Sequence, residues 1–261
     1  MFKTSNIALL LFILFILGIQ LRLWADAAGS DQTSSDSLSP LFLAQVNGSA
    51  DVIHKGVRSH AKPPQPLYEE DSIVTGKTDK AYLEFQEGGT VEIAPKTEVK
   101  IREVKVKPDS FRARFLIAYG KMKARVKKLT TSSSVFEIQA GGVVAGVRGT
   151  VFGVDYDKAK NVVNAQTFEG SIFTLSGGKE EIVNKGYSML VNKTGLPLLA
   201  ALSPQQIKDF TSFNSVSGLL EEKKERMINQ MKGQVQNQIQ DKVDEKKNEL
   251  LKKVIPNPFG L

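Results

Sequence analysis

Gly141-Gly142-Val143-Val144-Ala145-Gly146-Val147-Arg148-Gly149-Thr150-Val151-Phe152-Gly153-Val154-Asp155-Tyr156-Asp157 is small and apolar for most of its length, and a single cation interrupts it. Such a run reads as an interior β-strand. The glycines at 141, 142, 146, 149 and 153 point to bulges or close backbone approach, because propensity alone would not select them. Arg148 needs partners in such a setting, since an unpaired buried guanidinium is strongly destabilising. By simple alternation it shares a face with Thr150, Phe152 and Val154, which favours a buried arginine paired with a carboxylate such as Glu169 or with turn carbonyls. The rival reading is a contact to an anionic ligand in a glycine-lined pocket. The first reading predicts that Arg148→Ala lowers stability by several kcal/mol.

Working outward, short alternating segments fill the centre of the chain: Ile73-Val74, Ala81 to Phe85, Thr90 to Ile93, Val99 to Val106, Phe111 to Ile117, Met122 to Val126 and Val135 to Ile138. After Val143 to Tyr156 the series continues through Val162 to Phe168, Ser171 to Leu175, Ile182-Val183 and Ser188 to Val191. Glu87-Gly88-Gly89, Pro108-Asp109-Ser110 and Gly177-Gly178 punctuate it. No helical apolar period precedes residue 200. The expected class is all-β, an antiparallel sandwich or short β-solenoid-like domain, followed by a long C-terminal α-helix.

Cations fall on alternate positions from Lys100 to Lys128. Lys100 and Arg102, Lys105 and Lys107, Arg112 and Arg114, and then Lys121, Lys123, Arg125 and Lys127 each alternate with apolar residues, which puts them on the face opposite the core. If these strands are neighbours in one sheet, they form a cationic face with only Glu98, Glu103 and Asp109 as local acids. Such a face suits an anionic envelope polymer, lipid head groups or an acidic partner protein. The bland alternative is a solvated, lysine-protected sheet. Nucleic acid fits poorly, because Phe111 and Phe115 point inward and leave no stacking platform.

The chain has 261 residues, a formal net charge of +7, 41% hydrophobic residues and no cysteine. Disulfides and thiol chemistry are excluded, so stability must come from a packed core. Lys3, the apolar run Ile7 to Ile19 and Ala25-Asp26-Ala27 read as a signal peptide over 1–27, with an uncleaved anchor reaching Trp24 as the rival. Residues 28–42 read as a polar linker and 43–200 as the β domain. Catalytic constellations are missing. His54 and His60 fall in an expected loop, without cysteine beside them, and neither a nucleophile elbow nor a phosphate-loop pattern occurs. No cofactor and no metal are expected.

Residues 203–254 read as a helical tail and 255–261 as a disordered end. Ser203-Pro204-Gln205-Gln206 is a capping box opening a short helix to about Phe213, and a longer helix follows Ser217-Gly218. Its narrow stripe (Leu220, Met227, Ile228, Met231, Val235, Ile239, Val243, Leu250, Leu251 and Val254) suits packing on its own domain or a weak coiled coil that forms a homo-oligomer. Tryptophan and phenylalanine anchors for a membrane surface are lacking from that stripe.

Several of these segments together resemble the FecR-type domain. Ala145-Gly146-Val147-Arg148-Gly149-Thr150-Val151-Phe152 is similar to the family's Val-Arg-Gly-Thr element. Tyr68-Glu69-Glu70-Asp71-Ser72-Ile73-Val74-Thr75-Gly76 resembles its Gly-Asp-x-Ile-x-Thr-Gly turn, with Glu70 where the family carries glycine. Ala81 to Val91, Ile93 to Val99, Phe168-Glu169-Gly170-Ser171-Ile172 and Asn184-Lys185-Gly186-Tyr187-Ser188 resemble the hairpin and turns around these elements, so that the likeness runs from Gln45 to Asn192.

The resemblance implies an exported, non-enzymatic envelope module with a protein partner. In the best-known members, a cytoplasmic anti-sigma segment precedes a membrane span, and the periplasmic part receives a signal from an outer-membrane transporter. Only six residues precede Ile7 here, so the expectation is a binding or scaffolding module without that segment. The alternative expectation is a periplasmic signal-sensing component of a sigma-factor and TonB-type system.

Overall fold

Strand β9 (Ser110–Val126), at 17 residues, is the element around which the domain is organised. The computed structural model describes residues 39–254, apart from 87–88, 108 and 193–195. The expected leader over 1–27, the linker up to 38 and the end over 255–261 lie outside the described residues, as do Gly88 and Pro108 of two expected turns. The first half of β9 pairs with β8 (Glu98–Lys107) and, in parallel, with β10 (Val135–Ala140). Its second half pairs with β7 (Gly89–Ile93) and β12 (Val151–Asp157). One strand therefore belongs to two facing sheets.

Around the second half, sheet A runs in the order β4 (Gln65–Leu67), β1 (Leu41–Asn47), β6 (Lys80–Phe85), β7, β9, β12, β13 (Val162–Glu169), β16 (Tyr187–Val191) and β17 (Pro197–Ala201). Around the first half, sheet B runs β3 (Val57–His60), β2 (Ala50–His54), β5 (Ser72–Thr75), β8, β9, β10, β11 (Val143–Val147), β14 (Ser171–Ser176) and β15 (Lys179–Asn184). Every ladder is antiparallel except β9 with β10.

The corner in β9 lies at Gly120. There φ is +94°, and a Cβ would stand 2.3 Å from Thr97 Oγ1 and 2.7 Å from the Lys96 carbonyl oxygen. No other residue fits. A register shift against β8 accompanies the corner and inverts the alternation: Ala113, Phe115 and Ile117 face inward before it, Met122, Ala124 and Val126 after it. The inner faces of both sheets form one core. Edge-to-face rings bridge the layers, with Phe85 5.1 Å from Phe111 and Phe136 5.9 Å from Phe152, a geometry that adds to the apolar burial.

Several boundaries differ from expectation. Val143 to Tyr156 is two strands in different sheets, whereas the segments expected over 111–117 and 122–126 are one. β1 starts at Leu41, inside the expected linker, and β1 to β4 and β17 carried too little alternation to be read. His54 and His60 end β2 and β3 instead of lying in a loop. Glu70 keeps the expected turn by adopting φ +70° itself, while Asp71, 1% exposed, accepts the Tyr68 amide hydrogen bond (2.9 Å).

The C-terminal helix α1 (Pro204–Val254) is continuous, not divided near Ser217-Gly218. Ser217 is buried and donates to Thr90 Oγ1 at 2.9 Å, so the sheet holds in the helix a dipeptide that local propensity would use to break it. The capping box forms as read, with Gln206 Oε1 accepting from the Ser203 amide at 2.7 Å.

Candidate functional site

The cations of Lys100 to Lys127 are divided between the two sheets, because the chain turns the corner at Gly120 between Arg114 and Lys121. They do not form a single face. On the outer side of sheet B, Lys100, Arg102, Lys105, Arg112 and Arg114 are interleaved with carboxylates that strand pairing brings opposite them. Glu103 accepts from Arg112 Nε (2.9 Å) and from an Arg114 terminal nitrogen (3.0 Å), and Arg114 Nε reaches Glu137 (2.8 Å). Burial alone would push the Glu103 carboxyl up, but Arg112, Arg114 and Lys105 together hold it below the usual range. Glu70 pairs with Lys100 (2.5 Å) and Arg102 (3.6 Å), and Lys105 lies 3.7 Å from Glu69. Arg102 sits at a β-bulge, which is why the alternation slips before Lys105. Lys107 is exposed at the end of β8.

The second group faces α1. Lys123 is 4% exposed, pairs with Glu92 at 2.9 Å and donates to the Asp209 carbonyl at 3.3 Å. Its ammonium lies 6.0 Å from the ring centres of both Phe210 and Phe213. Glu92, itself 1% exposed, also accepts from Tyr82 Oη (3.0 Å) and Lys80 (3.2 Å). Lys121 and Lys127 reach Asp209 (3.9 Å) and Glu221 (2.7 Å) on the helix, and burial lowers the Lys121 ammonium below its ordinary range. Arg125 Nε is buried and makes no hydrogen bond among the described residues. Lys121, Lys123 and Lys127 thus engage the helix, and Lys121 and Lys123 also line a cleft of about 750 Å³ beside Asp155 and Asp209.

One more buried acid lies under α1. Glu84, 7% exposed, accepts from Thr90 Oγ1 (2.6 Å), while its second oxygen has no hydrogen bond among the described residues. Burial pushes this carboxyl up to about 7, against the Thr90 hydrogen bond and the Lys224 charge, which pull it down. Lys224 caps the same corner by donating to the carbonyls of Phe85 (2.6 Å) and Gln86 (2.8 Å). The apolar part of the helix contact is small, comprising Val151, Phe210 and Phe213 with Phe168 stacked at 5.4 Å on Phe210.

Val147, Arg148, Gly149 and Thr150 form the crossing from sheet B to sheet A. Thr150 is buried, donates to the Ser171 carbonyl (3.1 Å) and accepts from the Val126 amide through its own carbonyl (3.0 Å). Gly149 has φ +110°, and a Cβ there would stand 2.7 Å from Lys128 Cα. Arg148 is exposed, contrary to the buried lock expected of it, and among the described residues no carboxylate pairs with it. Arg148 keeps the outward parity of Val144 and Gly146 in β11, where Val143, Ala145 and Val147 are buried. The inward expectation came from the parity of Thr150, Phe152 and Val154, from which the positive-φ Gly149 separates it. Glu169 instead accepts from Asn214 Nδ2 at 3.4 Å.

Arg148 opens onto a cleft of about 490 Å³ on the outer side of sheet B, lined also by Val135, Glu137, Gly146, Phe173 and Ile182. The cleft exists because Gly146 stands between Glu137 and Phe173 in the cross-strand row and has no side chain to fill it. Phe173, Leu175 and Ile182 are 45%, 38% and 60% exposed. The sequence did carry a signal for them: β14 reads Ile172-Phe173-Thr174-Leu175, apolar on both faces, although only one face meets the core.

Residues 71–173 match the family model described as FecR protein. That segment is a FecR-type domain. It begins at the buried Asp71, contains the whole β9 corner and the Val147–Thr150 crossing, and ends at Phe173 in the cleft wall. No match was found among curated proteins. Two crystal structures of a candidate anti-sigma factor from Parabacteroides distasonis, at 1.65 and 2.50 Å resolution, are similar at 14% identity and a TM-score of 0.44. The likeness covers 52% of this chain and 62% of that one, so the chain spans less than two thirds of its length. A likeness this slight carries no functional information. Among the described residues of the FecR domain and its helix, no group of three or more histidine, aspartate or glutamate side chains could hold a metal, and no helix is long and apolar enough to cross a membrane.

Proposed function

We propose that this protein is a non-catalytic binding module of the bacterial cell envelope, in which the FecR domain recognises a protein partner through the outer side of sheet B. The observation that carries this reading is the asymmetry of the two outer sides. That of sheet A is occupied by α1 through Lys123, Phe210, Phe213, Ser217 and Lys224. That of sheet B is open, patterned with paired charges, and carries exposed apolar side chains beside an unpaired arginine. Exposed apolar side chains rimmed by polar ones are the usual mark of an interaction site. The interleaved glutamates favour a patterned protein surface over a uniformly anionic polymer or lipid layer, which would meet Glu69, Glu70, Glu103 and Glu137 unfavourably.

A second reading, favoured by the FecR match itself, makes the module a signal-sensing component that relays through its partner to a sigma-factor system. Site-specific photo-crosslinking in cells of origin tests the shared part of both readings. A photoreactive residue at Phe173 is expected to give a discrete adduct, and one at the exposed Lys246 of the helix to give a different adduct or none. Equal, diffuse labelling from both positions would overturn the assignment. A sigma factor responding to deletion of the gene separates the second reading from the first.

A further inference from the structure

The cleft at Gly146 and Arg148 brings together an open cavity, exposed apolar side chains and an unpaired cation. The neighbouring cations on the same side already have partners: Arg114 bridges Glu103 and Glu137, and Arg112 is held by Glu103. Glu137, the acid in the cleft, is thereby neutralised, which leaves Arg148 to set the local sign. Gly146 lies in β11 and Arg148 one residue past its end, and both line the cleft; two residues of extended chain span at most roughly 6.6 Å. An extended peptide repeats its side chains on one face with the same period. A ligand lying along β11 can thus place one side chain in the Gly146 dent, against Phe173 and Ile182, and the side chain two residues on beside Arg148.

Resting on the reading that the outer side of sheet B binds a protein, we propose that this cleft takes an extended acidic peptide in which an aromatic or large aliphatic residue is followed, two positions later, by aspartate or glutamate. The apolar side chain fills the dent, and the carboxylate accepts a charge-assisted hydrogen bond from the Arg148 guanidinium, the geometry in which arginine is strongest. Anionic lipid supplies the charge but not the spaced apolar group, and nucleic acid meets only the rings of Phe173, without further aromatic partners for stacking.

The test uses the full chain and a dye-labelled peptide, Gly-Phe-Ser-Asp-Gly, with three comparison peptides. In one, asparagine replaces aspartate; in another, glycine replaces phenylalanine; in the third, phenylalanine and aspartate are adjacent. Single-site affinity on the order of 100 μM is expected for so small a contact, and loss of the charge pair weakens it roughly tenfold. Arg148→Gln should lower affinity for the aspartate peptide by that factor and leave affinity for the asparagine peptide unchanged. Gly146→Leu should abolish binding of both. A Cβ at Gly146 meets only Glu137 Cγ and the Phe173 carbonyl oxygen, each at 3.9 Å, and the φ there is not positive, so this variant keeps the fold, with an unchanged melting temperature as the check.

Equal binding of aspartate and asparagine peptides, indifference to spacing, unaltered binding by either variant, or no binding at all would overturn the proposal. Binding of anionic vesicles that Gly146→Leu leaves intact would do the same in favour of a membrane. The crosslink from Phe173 is independent of these outcomes: if it persists while the peptide fails, the protein-binding reading stands and only the ligand class is wrong.

Discussion

At Gly149 an added methyl group would stand 2.7 Å from a backbone carbon with φ at +110°, so Gly149→Ala is expected to cost more than about 2 kcal/mol in chemical denaturation. Arg148, one residue earlier, is exposed and unpaired, and Arg148→Ala should stay within about 0.5 kcal/mol of wild type. A pair of melts separates the two roles. Glu84 makes a prediction in pH. Its carboxyl is raised from 4.5 to about 7 in the folded state, so between those values the native protein holds a proton that the unfolded chain has released. Stability contributed at this site therefore falls as pH rises through that window, by up to about 3 kcal/mol, and is flat above it. Denaturation midpoints at pH 5 and pH 7.5 read this slope, which Glu84→Gln should flatten. A slope unchanged in the variant would assign it to another group.

At the scale of elements, α1 is attached by a buried polar seam with little apolar area. Removing Lys123 leaves the buried Glu92 with the partly exposed Lys80 as its remaining cation, so Lys123→Met is expected to cost about 3 kcal/mol. Changing Glu92→Gln as well should recover part of that loss, and a double-mutant cycle measures the coupling. Phe210→Ala removes the ring between Phe168 and the Lys123 ammonium. Hydrogen exchange is then expected to accelerate over 204–224 of the helix while β9 keeps its protection. Acceleration across the whole sandwich would mean that helix and sheet unfold as one unit.

For the molecule as a whole, the alternation of small apolar residues was enough to show an all-β domain, with sandwich and short solenoid both left open. Val147-Arg148-Gly149-Thr150 lies within the segment, 71–173, that matches the FecR family model. What alternation could not show was where one strand leaves its sheet. Arg114 and Lys121 look like neighbours on one face until the corner at Gly120 sends them to opposite layers, and no local property of either cation reveals it. Arg148 was misread for the same reason: the run looks continuous, but the sheet changes under it. The cleft was still less visible, since an absent side chain at Gly146 becomes a cavity only once β10 and β14 flank it.

The claim that matters most is that recognition uses the open side of sheet B while α1 occupies sheet A. The most direct measurement is photo-crosslinking from position 173 in cells, repeated in an Arg148→Gln background. A single protein adduct that is strongly diminished by Arg148→Gln, with protein level and melting temperature unchanged, is the predicted result. An adduct of equal yield in both backgrounds would keep the surface and remove only Arg148 from the contact. No adduct from position 173, alongside a specific one from the helix at Lys246, would contradict the claim.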